Sequence, residues 1–164
     1  MRKPIEQSYW VEEGWLLAGE YPRTLEESTT RERIRAFEEA GISAFIDLTE
    51  EGELLSYSHY LETASHQRFP IPDVSVPASE RSVIETLDAI DRHLDAGRSV
   101  YVHCWGGVGR TGVIVGCWLA RHGLPGETAL RRLRKLWASC PKSSHRNSPE
   151  TPEQEDYILN WGRG

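Results

Sequence analysis

The chain has 164 residues, of which 38% are hydrophobic and 27% charged, and a formal net charge of -6. That balance suits one globular domain with one core and excludes a disordered polymer. The acidic sign argues against a general nucleic-acid binder, which needs a broad Lys/Arg surface, but leaves room for a small anion held by backbone N–H groups and one arginine.

The longest apolar runs fall well short of the ~20 residues that span a bilayer, and residues 1–10 lack the apolar centre of a signal peptide. Three widely spaced cysteines, Cys104, Cys117 and Cys140, form neither a disulfide framework nor a CxxC knuckle. The expectation is a cytoplasmic protein with reduced thiols and no membrane span, residues 1–164 forming one catalytic unit.

Residues 15–19 predict a short strand ending on a glycine, and Tyr21-Pro22 turns the chain. Thr29-x-x-Glu32 has the form of a capping box, Ile34, Phe37 and Ala40 make a helical stripe, and Gly41 is a stop. Residues 42–48 predict a buried strand, whereas 50–65 are ambiguous, with Leu54, Leu55 and Leu61 hinting at a helix. Pro70, Pro72 and Pro77 frame Asp73 in a segment that cannot continue as a helix or central strand, so a surface loop is expected. Ser79 caps a predicted helix whose Val83, Ile84, Leu87, Ile90 and Leu94 share one face, closed by Gly97, and 99–103 form the next strand. Residues 111–122 are apolar almost throughout and predict a buried helix. Leu130, Leu133, Leu136 and Trp137 mark an amphipathic helix, and Thr151-Pro152 opens a last one carrying Tyr157, Ile158 and Trp161. Strands feeding helices indicate an α/β domain with helices on a central sheet.

Residues 103–112 read His-Cys-Trp-Gly-Gly-Val-Gly-Arg-Thr-Gly. Gly106, Gly107 and Gly109 permit positive φ and close approach, so the backbone of Trp105, Gly106, Gly107, Val108 and Gly109 can turn its N–H groups onto a phosphate. The helix starting near Arg110 aims its positive end at the same place, favouring both a bound phosphate and an ionised sulfur at Cys104. Arg110, six residues after Cys104, offers a planar fork to two phosphate oxygens, a geometry lysine lacks. No cofactor or metal is expected: the loop and Arg110 take the electrostatic role of a cation, and His59, His66, His122 and His145 lack ligand spacing.

This Cys-x5-Arg loop, in its extended form HCxxGxGRTG, resembles the signature of the protein tyrosine and dual-specificity phosphatase superfamily. Its place past the midpoint suits the small dual-specificity branch better than the low-molecular-weight branch. The resemblance implies a protein tyrosine phosphatase-like fold, a single α/β domain with a central, mostly parallel twisted sheet flanked by helices. It also implies metal-independent phosphomonoester hydrolysis through a phosphocysteine at Cys104. In that reading Thr111 hydrogen-bonds the thiolate and His103 shapes the loop from behind. Residues 69–77 resemble the mobile acid loop, with Asp73 protonating the leaving oxygen and then activating water. Residues 148–157 resemble the segment that positions this water through a glutamine, here Gln154. Thr151-Pro152-Glu153-Gln154 is equally a capping box, and both roles stay open.

Asp47 is a second candidate acid that reads mainly as structural. Arg68, Lys142 and Arg146 are candidate rim cations or plain surface. Cys117 reads as helix packing and Cys140 as incidental, with either available as a resolving thiol. The implied partner is a phosphorylated protein, phosphotyrosine first and phosphoserine or phosphothreonine second. The absence of lysine at Trp105 and Gly106 lowers the case for a phosphoinositide or inositol phosphate, and the acidic composition disfavours a capping-type RNA triphosphatase. A phosphoprotein-binding pseudophosphatase is the alternative without turnover, and the retained Cys104, Arg110 and Asp73 speak against it.

Overall fold

The computed structural model describes residues 2–162. Among them lie β1 (Ser8–Glu12), β2 (Leu16–Gly19), α1 (Glu27–Glu39), β3 (Ile42–Asp47), β4 (Ser65–Arg68), α2 (Glu80–Asp95), β5 (Ser99–His103), α3 (Gly109–Arg121), α4 (Glu127–Trp137) and α5 (Pro152–Asn160). The strands form one sheet in the order β1-β2-β5-β3-β4, with only β1 antiparallel to its neighbour.

Alternation along the middle strands decides what covers the sheet. Val100 and Val102 of β5 enter one buried cluster and Tyr101 enters another, and Ala44 and Ile46 of β3 part from Phe45 in the same way. Both faces are therefore apolar and both need helices. Ile34 and Phe37 of α1 close one face. The other face is closed by Val83, Leu87 and Ile90 of α2, Leu130 and Leu133 of α4, Ile158 of α5 and nearly the whole of α3. In α3 every residue from Gly109 to Leu119 is buried. Gly116 makes that possible, because a Cβ there would stand 2.5 Å from Ile158 Cδ1.

Several expectations need correction. Helix α1 starts at Glu27, so Thr29 lies inside it and its capping-box pattern is not used. The entry is held by Thr30 instead, whose Oγ1 accepts from Thr24 N (3.1 Å) and donates to Glu26 O (2.9 Å). Ile84 faces solvent on α2, and the buried stripe takes in Thr86 and Ala89. Residues 50–64 form turns and a 3-10 turn at Ser58–Tyr60, with no α-helix, and Ser65 opens β4. The caps at Ser79, which accepts from Ser82 N (3.1 Å), and at Thr151 are as expected.

Because β2, β5 and β3 run parallel and adjacent, the residues that leave them gather at one edge of the sheet: Glu20 after β2, Cys104 after β5, and Leu48 and Thr49 after β3. Ligand sites of open parallel sheets form at such carboxyl ends. No helix of the described residues is long and apolar enough to cross a membrane.

Candidate active site

The connection from β5 to α3 is short, and its carbonyls are pulled outward one after another. His103 O accepts from Leu48 N (2.9 Å), Cys104 O from His103 Nδ1 (3.1 Å) and Trp105 O from Tyr21 N (2.8 Å). Gly106 O accepts from Lys142 Nζ (2.9 Å) and Val108 O from Ser148 Oγ (2.6 Å). With the carbonyls held outside, the amides are left for the concave side, a nest for an oxyanion. Gly107 N already points at Cys104 Sγ, 3.3 Å away. Helix α3 follows Val108, which gives it no side-chain cap, so its positive end is open to the same concavity.

The three loop glycines serve different ends. Only Gly107 has a positive φ, 75°, and a Cβ there would run into the backbone of Gly19. At Gly109 the constraint is space: a Cβ would lie 2.5 Å from Glu150 Oε1 and 2.9 Å from Gln154 Nε2. Gly106 needs neither, since a Cβ there would meet nothing nearer than Val108 Cγ2 at 3.5 Å.

Arg110 is only 2% exposed, and a buried guanidinium needs a counter-ion. It finds Glu53 in a two-pronged pairing, Nη1 to Oε1 and Nη2 to Oε2, both 2.8 Å, which holds the Glu53 carboxyl below its ordinary range. Nη1 also donates to Ile71 O (3.1 Å), and Nη2 lies 3.2 Å from Asp73 Oδ1. Asp73 sits between two anchors of its loop, Ile71 N on Leu48 O (3.0 Å) and Gln154 Nε2 on Ser75 O (2.9 Å). Its neighbour Val74 has φ 54°, a conformation unfavourable for a β-branched residue, and turns an exposed side chain to the mouth of the site.

Behind the loop, His103 is fully buried. Its Nδ1 donates to Cys104 O, so Nε2 accepts from Tyr57 Oη (2.6 Å). Burial pushes this imidazole down despite the nearby Asp47, which leaves it neutral and tied to the backbone of Cys104. Asp47 is not a second acid. Its carboxylate accepts from Thr49 N (2.9 Å), Thr49 Oγ1 (2.6 Å) and His66 Nε2 (2.9 Å) and meets Arg68 Nη2 at 3.3 Å. Burial pushes this carboxyl up, but the bonds from His66 and Thr49 outweigh it and hold it well below the carboxylate range. A group lowered on folding stabilises above its unfolded value, about 3.9, and loses that contribution as pH falls through its folded value. Asp47→Asn is therefore expected to cost about 3 kcal/mol near neutral pH, with the gap from wild type narrowing in acid, as read from urea unfolding across pH.

These parts enclose a cavity of about 320 Å³ lined by Cys104, Trp105, Arg110, Asp73, Val74 and the rim residues discussed below. A family model described as "Polymorphic toxin system, DSP-PTPase phosphatase" matches residues 20–124, a span that contains Glu53, Asp73, Cys104, Arg110 and Thr111. The chain belongs to this DSP-PTPase phosphatase family. It is 32% identical over 92 residues to a candidate tyrosine phosphatase of Invertebrate iridescent virus 3, covering 54% of this chain and 38% of the viral protein. It spans 38%, 56% and 52% of the length of three curated relatives, the viral protein and two from Methanocaldococcus jannaschii. Among solved structures it resembles the active form of Tk-PTP, with a TM-score of 0.75 at 24% identity over 94% of this chain and 95% of that one. Kinase associated phosphatase with serine in place of its catalytic-site cysteine gives a TM-score of 0.76 at 19% identity, over 98% and 95%. Both likenesses concern the fold.

In this DSP-PTPase chain the remaining candidates divide. Thr111 Oγ1 is buried with no hydrogen-bond partner among the described residues. Gln154 is fully buried, caps α5 by accepting from Thr151 N (3.2 Å), and abuts Gly109. Lys142 and Arg146 line the cavity, but each is paired with an acid that also lines it, Lys142 with Glu20 (2.9 Å) and Arg146 with Glu150 (2.8 Å). Arg68 is committed to Asp47 and does not line the cavity. Cys117 and Cys140 are free and buried, and burial pushes both thiols up. His66 and His122 bind single carboxylates, Asp47 and Asp91. Glu53, Tyr57 and Ser148 carry no sequence signal of their own. The one available cue is that a buried Arg110 requires an acid somewhere.

Proposed function

We propose that the chain is a phosphomonoester hydrolase that works through a phosphocysteine at Cys104, with phosphotyrosine in proteins as main substrate and phosphoserine or phosphothreonine as secondary ones. The observation that carries this reading is the convergence on one cavity of the Cys104 sulfur, inward-facing amides and the Arg110 fork, with the carboxylate of Asp73 facing them. Residues 1–164 act as one catalytic unit, and three unpaired cysteines suit a cytoplasmic setting.

In the first step the Cys104 thiolate attacks phosphorus, the P–O ester bond breaks, and the leaving oxygen takes a proton from Asp73. Arg110 and the loop N–H groups hold the equatorial oxygens throughout. Phosphate entry exchanges the Arg110–Asp73 contact for an Arg110–phosphate contact and frees Asp73 for the leaving group. In the second step Asp73, now ionised, takes a proton from water, whose oxygen displaces sulfur from phosphorus. Thr111, whose buried hydroxyl otherwise lacks a partner, donates to the departing thiolate. Gln154 uses one amide N–H on Ser75 O and has a second for that water, alongside its role as a cap.

Substrate choice follows from the mouth. Trp105 is 60% exposed and Val74 58%, two apolar side chains on separate loops beside the cradle, while the rim cations are neutralised by Glu20 and Glu150. That lining suits an aryl ring better than a polyanionic inositol head group. Ring contacts of this kind are worth about 1 kcal/mol, so Trp105→Ala should raise KM for aryl phosphates roughly fivefold and leave alkyl phosphates unchanged.

The functional test is hydrolysis of a small aryl phosphate in the presence of a chelator. Wild type should turn over, and Asp73→Asn should be slower by about 10²–10³-fold with phenyl phosphate and less with a nitrophenyl ester, whose leaving group needs less protonation. Folded wild type that binds a phosphopeptide but releases no phosphate would make the chain a binding module and overturn the reading.

A further inference from the structure

We propose a second anion site, for a phosphate-class oxyanion, at the end of the sheet opposite Cys104. An open cavity of about 560 Å³ is lined there by Ser43, Ser65, Gln67, Arg92, His93 and Arg98. Ser43 and Ser65 lie where β3 and β4 begin, and Arg98 precedes β5. The five residues of β5, at about 3.3 Å each, separate this cavity from the catalytic loop by roughly 16 Å.

The lining is basic, with two arginines and no acid. Arg33, Arg68, Arg110, Arg121, Arg134 and Arg146 each meet a carboxylate. Arg92 and Arg98 make no ion pair among the described residues, and no carboxylate lines the cavity. Thr63, which also lines the cavity, gives its hydroxyl (2.8 Å) to Glu38, whose carboxylate is further engaged by the N–H groups of Glu62, Thr63 and Ala64.

The polar side chains are arranged as donors. Arg98 Nε donates to His93 Nδ1 (3.0 Å), which places the imidazole proton on Nε2, and Nε2 donates to Gln67 Oε1 (2.9 Å). That chain of bonds occupies the acceptors of His93 and Gln67. The Gln67 amide group, the Arg98 Nη groups and the Arg92 fork are left as donors, with the Ser43 hydroxyl beside them, whereas the Ser65 hydroxyl donates to Ser43 O (3.4 Å). Burial and the two arginines push His93 down, so the imidazole serves as a neutral bridge and adds no charge of its own. Several donors around one concavity suit a tetrahedral oxyanion better than a flat carboxylate, which engages a single fork. The anion comes either as free phosphate or on a phosphorylated chain lying along the edge strand β4.

The test uses the full chain with Cys104→Ser, which cannot consume a phosphate ester, and follows NMR signals as inorganic phosphate replaces chloride at constant ionic strength. Shifts are expected in two groups, the Cys104 loop and residues 92–98 with Gln67. Adding Arg92→Gln and Arg98→Gln should abolish the second group alone, and the same pair in the wild-type background should leave aryl phosphate hydrolysis unchanged. Signals at 92–98 that ignore phosphate, move equally in chloride, or persist in the double variant would overturn the site. With a phosphoserine peptide, further shifts in the amides of Ser65–Arg68 identify a phosphorylated chain as the source, and shifts matching those from inorganic phosphate identify the free ion.

Discussion

Cys104→Ser is expected to abolish turnover, by on the order of 10⁴-fold or more, while leaving the fold and phosphate binding intact. A serine hydroxyl stays protonated at neutral pH and needs a base. The adjacent imidazole cannot supply one, because His103 is buried behind the loop with Nδ1 on Cys104 O and Nε2 on Tyr57 Oη. No neighbouring base therefore serves position 104, whose side chain faces Gly107 N and the uncapped start of α3. The exchange leaves the loop amides and the Arg110 fork in place, so phosphate should bind the variant about as tightly as wild type. Steady-state rates with calorimetric titration of phosphate separate the two effects. A serine variant within about tenfold of wild type would break the link between Cys104 and chemistry.

Arg110→Lys should lower kcat by about 10³-fold or more, the scale of an arginine that stabilises a transferring phosphoryl group. The charge survives, but the fork does not. One ammonium cannot face both oxygens of Glu53 and two of a phosphate. Arg110→Ala adds a stability cost of about 3 kcal/mol, because it strands the Glu53 carboxylate and removes the donor to Ile71 O at a site with 2% exposure. Chemical denaturation alongside kinetics distinguishes the two variants. Lysine should stay folded and slow, whereas alanine should be slow and less stable.

What could be read ahead of the structure was mainly local. The strand, turn and helix around Cys104, the caps at Ser79 and Thr151, and the middle strands β3 and β5 all announce themselves through neighbouring residues. Strands β1 and β4 did not. Ser-His-Gln-Arg in β4 has no apolar residue because it forms the outer edge of the sheet, and its pairing with β3 is decided by backbone register. Glu53 lies in a stretch with neither helical nor strand period, yet supplies both prongs that hold Arg110. Its role exists only once the turn after β3 has folded back on the loop after β5. Tyr57 and Ser148 act likewise across distant parts of the chain, on His103 and Val108. Local pattern also misled at Ile84, which faces solvent, in the leucines of residues 50–65, which form no α-helix, and at Thr29, where the entry of α1 is held by contacts between Thr24, Glu26 and Thr30.

The most direct test of the phosphocysteine account is rapid mixing with an aryl phosphate, an acid quench, and mass spectrometry of the peptide that bears Cys104. The account predicts one phosphoryl group on Cys104, formed together with a burst of released phenol matching the enzyme and absent from Cys104→Ser. Steady phenol release with that peptide unmodified, or a phosphoryl group on another residue, would contradict it.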